Sequence, residues 1–197
     1  MGIKSILNFP AIYRLFFYIT GTNHAKFVNL FVRPQKDDTI LDIGCGPADI
    51  LKYLPDVRYI GFDISQSYIN AAVRRYKDRG TFFCKTVTAD AVSGVNADIV
   101  LASGVLHHLN DQECVDLFTL AYNSLKKGGR LITLDGCYIE GQPMLARYIV
   151  SKDRGQYIRK PQQYLELSEQ IFSDVKSHVR MDLIRIPYTH IVMECHK

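Results

Sequence analysis

The chain has 197 residues, 47% of them hydrophobic, and a formal charge of +4. That is enough for one compact domain with a sizeable core, and it excludes a disordered or low-complexity protein. Five scattered cysteines without C-x-x-C spacing argue against a disulfide framework and a thiolate zinc site, so no metal is assigned and a reducing, cytoplasmic compartment is expected.

The first element falls within residues 6–31, a stretch rich in Leu, Phe, Ile and Tyr. Lys4, Pro10, Arg14 and Lys26 interrupt it, leaving no run near the roughly 18 residues of a spanning helix. No cleavage site follows, and Ile6 stands where a myristoylation signal needs Ser or Thr. Ile12, Tyr13, Phe16, Phe17, Ile19 and Thr20 predict a helix with one apolar face. The alternatives are a core helix, a cover over the sheet opening, or a surface helix in peripheral contact with lipid headgroups. Pro34, Asp37 and Asp38 predict a turn, and a strand over residues 39–43 then runs through Asp42 into Gly44-Cys45-Gly46-Pro47-Ala48 and a helix. Gly44 and Gly46 let the backbone turn sharply and a ligand approach it closely. A carboxylate just ahead of that turn would repel the pyrophosphate of a dinucleotide. It suits S-adenosylmethionine, which carries a cationic sulfonium and an ammonium group and no phosphate.

A second strand over residues 59–63 ends in Asp63, about twenty residues beyond the glycine turn, where a βαβ unit places its ribose-binding acid. The alternative is that Asp63 caps a helix starting near Ser65. The apolar run Phe82-Phe83-Cys84 leads to Thr88-Ala89-Asp90-Ala91. Residues 98–102 are an apolar strand behind one acid, suited to a parallel strand buried on both faces. The chain then meets His107 and His108, a pair able to bind a proton or a metal, or to hydrogen-bond at a helix start. Gly128 reads as a helix C-cap, with Lys126 and Lys127 in the last turn, and the fifth strand ends in Asp135, which either faces the crevice or caps a loop. Arg147, Lys152, Arg154, Arg159 and Lys160, offset by Asp153, form a basic segment that is either solvated surface or a seat for an anionic acceptor. No recognised RNA motif accompanies it, so nucleic acid is disfavoured as a partner. A helix over residues 161–172 and two antiparallel strands, 175–186 and 189–195, joined tightly at Pro187-Tyr188, complete the chain.

The series Asp42, Gly44, Gly46, Ala48 resembles the first motif, Asp-x-Gly-x-Gly-x-Gly, of the class I S-adenosylmethionine-dependent methyltransferases, with alanine replacing the last glycine. The later landmarks follow in that family's order across residues 39–136. Ser103-Gly104-Val105-Leu106 stands where adenine N-methyltransferases carry Asn-Pro-Pro-Tyr, which weighs against a nucleobase amine as acceptor. The resemblance implies an α/β fold: a Rossmann-like, seven-stranded, mostly parallel sheet with helices on both faces, a C-terminal antiparallel hairpin and an N-terminal lid helix. One domain is expected, with residues 1–36 as lid, 37–136 as cofactor-binding core and 137–197 on the acceptor side.

The implied cofactor is S-adenosyl-L-methionine, leaving as S-adenosyl-L-homocysteine. Its site would use Asp42, Gly44, Cys45, Gly46, Asp63, Ile64, Asp90, Ala91 and Ser103, with Asp63 on the ribose hydroxyls and Asp90 on the adenine amino group. His108, His107 or Asp135 would act as base, and Tyr13, Tyr18 and Tyr138 would line the acceptor pocket. The expected activity is methyl transfer to a small molecule or a sugar or lipid precursor, at oxygen. The alternatives are a non-catalytic protein that binds S-adenosylmethionine or S-adenosylhomocysteine, and an NAD-dependent oxidoreductase. No pattern specifies an oligomeric state.

Overall fold

A computed structural model describes residues 23–197. Seven strands form one sheet: β1 (Thr39–Ile43), β2 (Arg58–Asp63), β3 (Gly80–Cys84), β4 (Ala97–Ser103), β5 (Leu125–Gly136), β6 (Asp174–Arg180) and β7 (His190–His196). Their spatial order is β3-β2-β1-β4-β5-β7-β6. The pairs from β3 across to β5 are parallel, and β7 runs antiparallel to both β5 and β6. From β1 the chain goes first to one side, to β2 and β3, and then to the other, to β4. The switch between β1 and β4 opens a crevice beyond the carboxyl ends of these strands.

The helices are α1 (His24–Phe27, continued by a wide turn over Val28–Val32), α2 (Gln66–Tyr76), α3 (Asp111–Ser124), α4 (Met144–Ser151) and α5 (Pro161–Ser168). The central strands bury alternate residues in two cores, as strands covered on both faces must. Leu41, Ile43, Val100 and Ala102 join Cys114, Phe118 and Ala121 of α3 and Tyr164 of α5. Ile40, Ile99, Leu101 and Ile132 join Phe27, Phe31, Leu51, Ile69 and Ala72 on the opposite face. Each of the Leu, Ile, Val and Phe side chains among them contributes about 1.5 to 3 kcal/mol when fully buried.

The termini of α3 follow from its sequence. Asn110 accepts from the Glu113 N–H at 3.0 Å while the Glu113 carboxylate accepts from the Asn110 N–H at 2.7 Å, a reciprocal cap that satisfies two helix-start donors.

Three local expectations are corrected. The helix after the glycine turn is only a 3-10 turn, Asp49–Tyr53, because Leu54 already takes extended ψ of 146° ahead of Pro55, as the residue before proline prefers. Gly128 does not cap α3, which ends at Ser124; with φ of 77° it shapes the irregular start of β5. The connection of β6 to β7 is a nine-residue loop, 181–189, rather than a tight turn. Asp182 pairs there with Arg180 and Lys26, and the buried Leu183 accepts from the Asn23 N–H at 2.8 Å.

Candidate active site

The carboxyl end of β1 turns back under the end of β2: the N–H groups of Gly44 and Cys45 both donate to Phe62 O, at 2.8 and 2.9 Å. Gly44 sits at φ +75°, and a Cβ there would lie 2.6 Å from Val105 Cγ2. Gly46, at φ +54°, has nothing within 4 Å of a Cβ position, so its free face opens outward. Ala48 adopts φ 55°, ψ 35°, a left-handed conformation costing a non-glycine residue roughly 1 kcal/mol or more.

Asp63 organises this loop. Its Oδ2 accepts from the Gly46 N–H at 2.9 Å and its Oδ1 from the Ser65 N–H at 2.7 Å, so one carboxylate joins the glycine turn to the start of α2. Each oxygen retains a further lone pair for a hydroxyl donor. The neighbouring Ile64 side chain is 78% exposed, an apolar surface beside a hydroxyl-seeking acid. Asp42 lies beneath the turn, buried, and accepts from the Tyr59 hydroxyl. Burial pushes its carboxyl up to about 7, with Asp63 adding to the rise and the Tyr59 hydrogen bond opposing it. The buried Cys45 Sγ donates to Gly46 O at 3.5 Å, and burial, with Asp42 and Asp63, raises its thiol.

At the ends of β4 and β5 a second polar cluster forms. After the exposed Ser103, Gly104 turns the chain at φ +72° into a 3-10 turn, Leu106–His108. His107 is buried, with Nδ1 donating to Asp135 Oδ1 at 2.8 Å and Nε2 lying 3.3 Å from Asp153 Oδ1. Burial disfavours the charged ring, but the Asp135 hydrogen bond and the charges of Asp135 and Asp153 outweigh it, so His107 stays protonated to higher pH than usual. His108 is exposed, its ring centroid 4.2 Å from that of His107. Burial and then the repulsion of His107 pull its value down, favouring a neutral imidazole. Asp153 Oδ2 accepts from Tyr188 at 2.7 Å. Arg159 fastens the turn by donating to Leu106 O, Leu109 O and Asp111. A cavity of about 490 Å³ lined by Arg33, Lys52, Tyr53 and Pro55, among others, lies where the chain approaches β1 and β2, at the opposite, amino-terminal ends of these strands.

Residues 40–129 match the family described as a methyltransferase domain. Phosphoethanolamine N-methyltransferase 1 of Triticum aestivum is 28% identical over 152 residues, 73% of this chain and 30% of that protein. Desmethylxanthohumol 6'-O-methyltransferase of Humulus lupulus is 29% identical over 104 residues, 49% of this chain and 28% of that protein. The solved Haemonchus contortus phosphoethanolamine N-methyltransferase 2, in complex with S-adenosyl-L-methionine, superposes with a TM-score of 0.62 at 22% identity, over 80% of this chain and 38% of that one. The family match covers residues 40–129, and the sheet around it has the fold of that solved methyltransferase. The chain spans roughly a third of the length of the curated relatives it matches.

The residues around the glycine turn fit S-adenosyl-L-methionine on their own geometry. Gly46 offers an open backbone face, Asp63 keeps lone pairs for ribose hydroxyls, Ile64 leaves an apolar flat beside them, and the buried Asp42 favours an incoming cation. Asp90 and Ala91 open the 3-10 turn Asp90–Val92 between β3 and β4, with Asp90 exposed. Among the catalytic candidates, His107, His108 and Asp135 come together at one strand edge. Tyr138 follows β5 and lies under the Arg147 guanidinium, 5.2 Å from its ring centroid. Tyr13 and Tyr18 lie outside the described residues; of the lid expected over residues 1–36, the described part packs in the core through Phe27, Val28, Phe31 and Val32. The sequence reading missed Asp153, Tyr188, Tyr59 and the locking role of Arg159. Asp153 entered it only as an offset to a basic run, and no local pattern announces a partner on a distant strand. No helix among the described residues is long and apolar enough to cross a membrane.

Proposed function

We propose that this methyltransferase domain transfers the methyl group of S-adenosyl-L-methionine to a small-molecule acceptor seated against the ends of β4 and β5. The observation that carries the reading is the meeting, at the carboxyl ends of the strands, of the Gly44–Gly46 turn, the Asp63 carboxylate and, through Val105 packed against Gly44, the turn that bears the exposed His108. When bound, the cofactor supplies an electrophilic methyl group on a cationic sulfur that departs as a neutral thioether. The protein's work is positional: to hold the acceptor atom in line, exclude water and take up the proton the acceptor releases. Asp42, Gly44, Cys45 and Gly46 form the floor, Asp63 takes the ribose, and Ile64, Asp90 and Ala91 serve the adenine. Ser103 flanks the methionine end.

His108 is the base we assign, since its neighbours favour the neutral ring; an acceptor oxygen or amine would pass its proton to a ring nitrogen as the new bond to carbon forms. Hydroxyl and amine acceptors both need that step, and the two plant relatives are named for each. The basic residues Arg147, Lys152 and Arg154 support an acceptor carrying negative charge.

Calorimetry with S-adenosylhomocysteine and NAD, followed by release of S-adenosylhomocysteine from labelled cofactor in the presence of phosphoethanolamine or a phenol, tests the reading. Binding of the first ligand and turnover with either acceptor is expected. Binding of NAD alone would overturn it.

A further inference from the structure

The loop that follows α4 crosses the histidine turn and touches it repeatedly. Asp153 faces the His107 ring, the Gly155 N–H donates to Asp153 Oδ1 at 3.0 Å, and the Tyr157 N–H donates to His107 O at 2.9 Å. Gly155 lies so close that a Cβ would fall 2.2 Å from His107 Cδ2 and 2.7 Å from its carbonyl oxygen. Only glycine lets the chain pass there, and its passage brings Asp153 to the second ring nitrogen.

Carboxylate oxygens only accept. With Asp135 Oδ1 hydrogen-bonded to Nδ1 and Asp153 Oδ1 3.3 Å from Nε2, His107 lies between two acceptors, an arrangement that favours a proton on each nitrogen. An imidazolium so placed has no lone pair for an acceptor's proton, and it stands 4.2 Å, centroid to centroid, from the His108 ring.

We propose that Asp153 is a positioning residue for methyl transfer: with Asp135 it brackets His107 as a fixed cation, and that cation reserves the neutral, proton-accepting role for His108. The proposal rests on the methyltransferase reading and extends it by dividing the histidine pair into a buried charge and a working base. Asp153 is itself held, its Oδ2 accepting from Tyr188 at 2.7 Å. The charged and titratable groups acting on the two rings come from every neighbouring element: Asp135 at the end of β5, Asp153 and Arg154 on the loop, and His190 at the start of β7. Arg154 opposes protonation of both rings, and the carboxylates favour it. Burial lowers His190 to about 4, so it adds no charge near neutrality. Of the two, His107 lowers His108 more strongly than Asp153 raises it.

The test is a pH titration of the imidazole resonances in the full chain by long-range proton–nitrogen correlation, which reads each ring's protonation without an acceptor. In the unaltered protein, both His107 nitrogens should be protonated at pH 7 and His108 should titrate below it. Asp153→Asn should lower the His107 midpoint, and Asp153→Glu should restore it. His107→Gln should raise the His108 midpoint, since a repelling charge has gone. A single protonated nitrogen on His107 at pH 7 in the unaltered protein overturns the proposal, whatever the variants do. So does an unmoved His107 in a folded Asp153→Asn variant that still binds S-adenosylhomocysteine. Failure of the unaltered protein to bind S-adenosylhomocysteine overturns the methyltransferase reading and, with it, the catalytic meaning of the bracket; the titration alone decides the bracket itself.

Discussion

Two aspartates at the ends of neighbouring strands do different work. Asp63 is a brace before it is a ligand, since it already holds the N–H groups of Gly46 and Ser65. Asp63→Ala should therefore weaken S-adenosylhomocysteine binding by at least about tenfold and also cost stability, because charge-assisted hydrogen bonds are worth about 1.5 to 3 kcal/mol each. Calorimetry and urea unfolding read the two losses separately, and unchanged affinity would remove Asp63 from the ribose. Asp42 behaves in the opposite sense from a paired surface carboxylate. Its folded value is about 7, against 3.8 in an ordinary setting, so between those limits the folded chain holds a proton that the unfolded chain has released. Stability from this residue is greatest at low pH and declines as pH rises through that window. Asp42→Asn should flatten that part of the stability profile. A cationic cofactor arriving near Asp42 should expel its proton below about pH 7, an effect visible as buffer-dependent binding enthalpy. Equal enthalpies in buffers of different ionisation heat would place the cation elsewhere.

At the scale of elements, α3 and the histidine turn form one piece of construction. The reciprocal cap of Asn110 and Glu113 starts the helix two residues after His108, and Arg159 clasps the same stretch through Leu106 O and Leu109 O. Asn110→Ala should destabilise the protein by about 1 kcal/mol, the usual worth of an N-cap, as measured by urea unfolding. Arg159→Ala should cost more, about 3 kcal/mol, since buried carbonyls lose a charged donor together. It should also broaden the His107 and His108 resonances, which a purely peripheral arginine would leave sharp.

Gly44→Val illustrates a different failure. Its φ of +75° and the Val105 methyl 2.6 Å from a Cβ position leave no room for a branched side chain. Cofactor binding should disappear in calorimetry, and because Val105 leads into the histidine turn, the titration of His108 should shift with it. A folded variant with normal binding would show that the turn is structural only.

For the whole molecule, the sheet was legible because its inner strands are short apolar runs closed by turn residues: 39–43 by Gly44, and 98–102 by Ser103 and Gly104. The acids at strand ends were legible for the same reason, as polar residues breaking an apolar run. Gly128 misled because a glycine at positive φ serves a β irregularity as readily as a helix cap. Pro187-Tyr188 misled because Tyr188 is occupied across the molecule with Asp153, 35 positions earlier, and a loop wide enough to deliver it cannot be a tight turn. Asp153 and Arg159 were illegible as site residues for the same cause: their partners are brought to them by β4, β5 and β7, and no local period encodes such a meeting.

The place of β7 has a consequence for how the chain assembles. Residues 190–196 lie between β5 and β6, and among the described residues β6 has no other neighbour in the sheet. During synthesis β6 emerges before the only strand that can attach it, and β5 waits with one row of peptide groups unpaired. Until β7 slides between them, that open edge is a template for strands of other molecules, and the pairings that close it span long stretches of sequence and form slowly. The chain is therefore most prone to aggregate while β7 is still unplaced, and lowering the temperature or the concentration of new chains should raise the yield of folded protein.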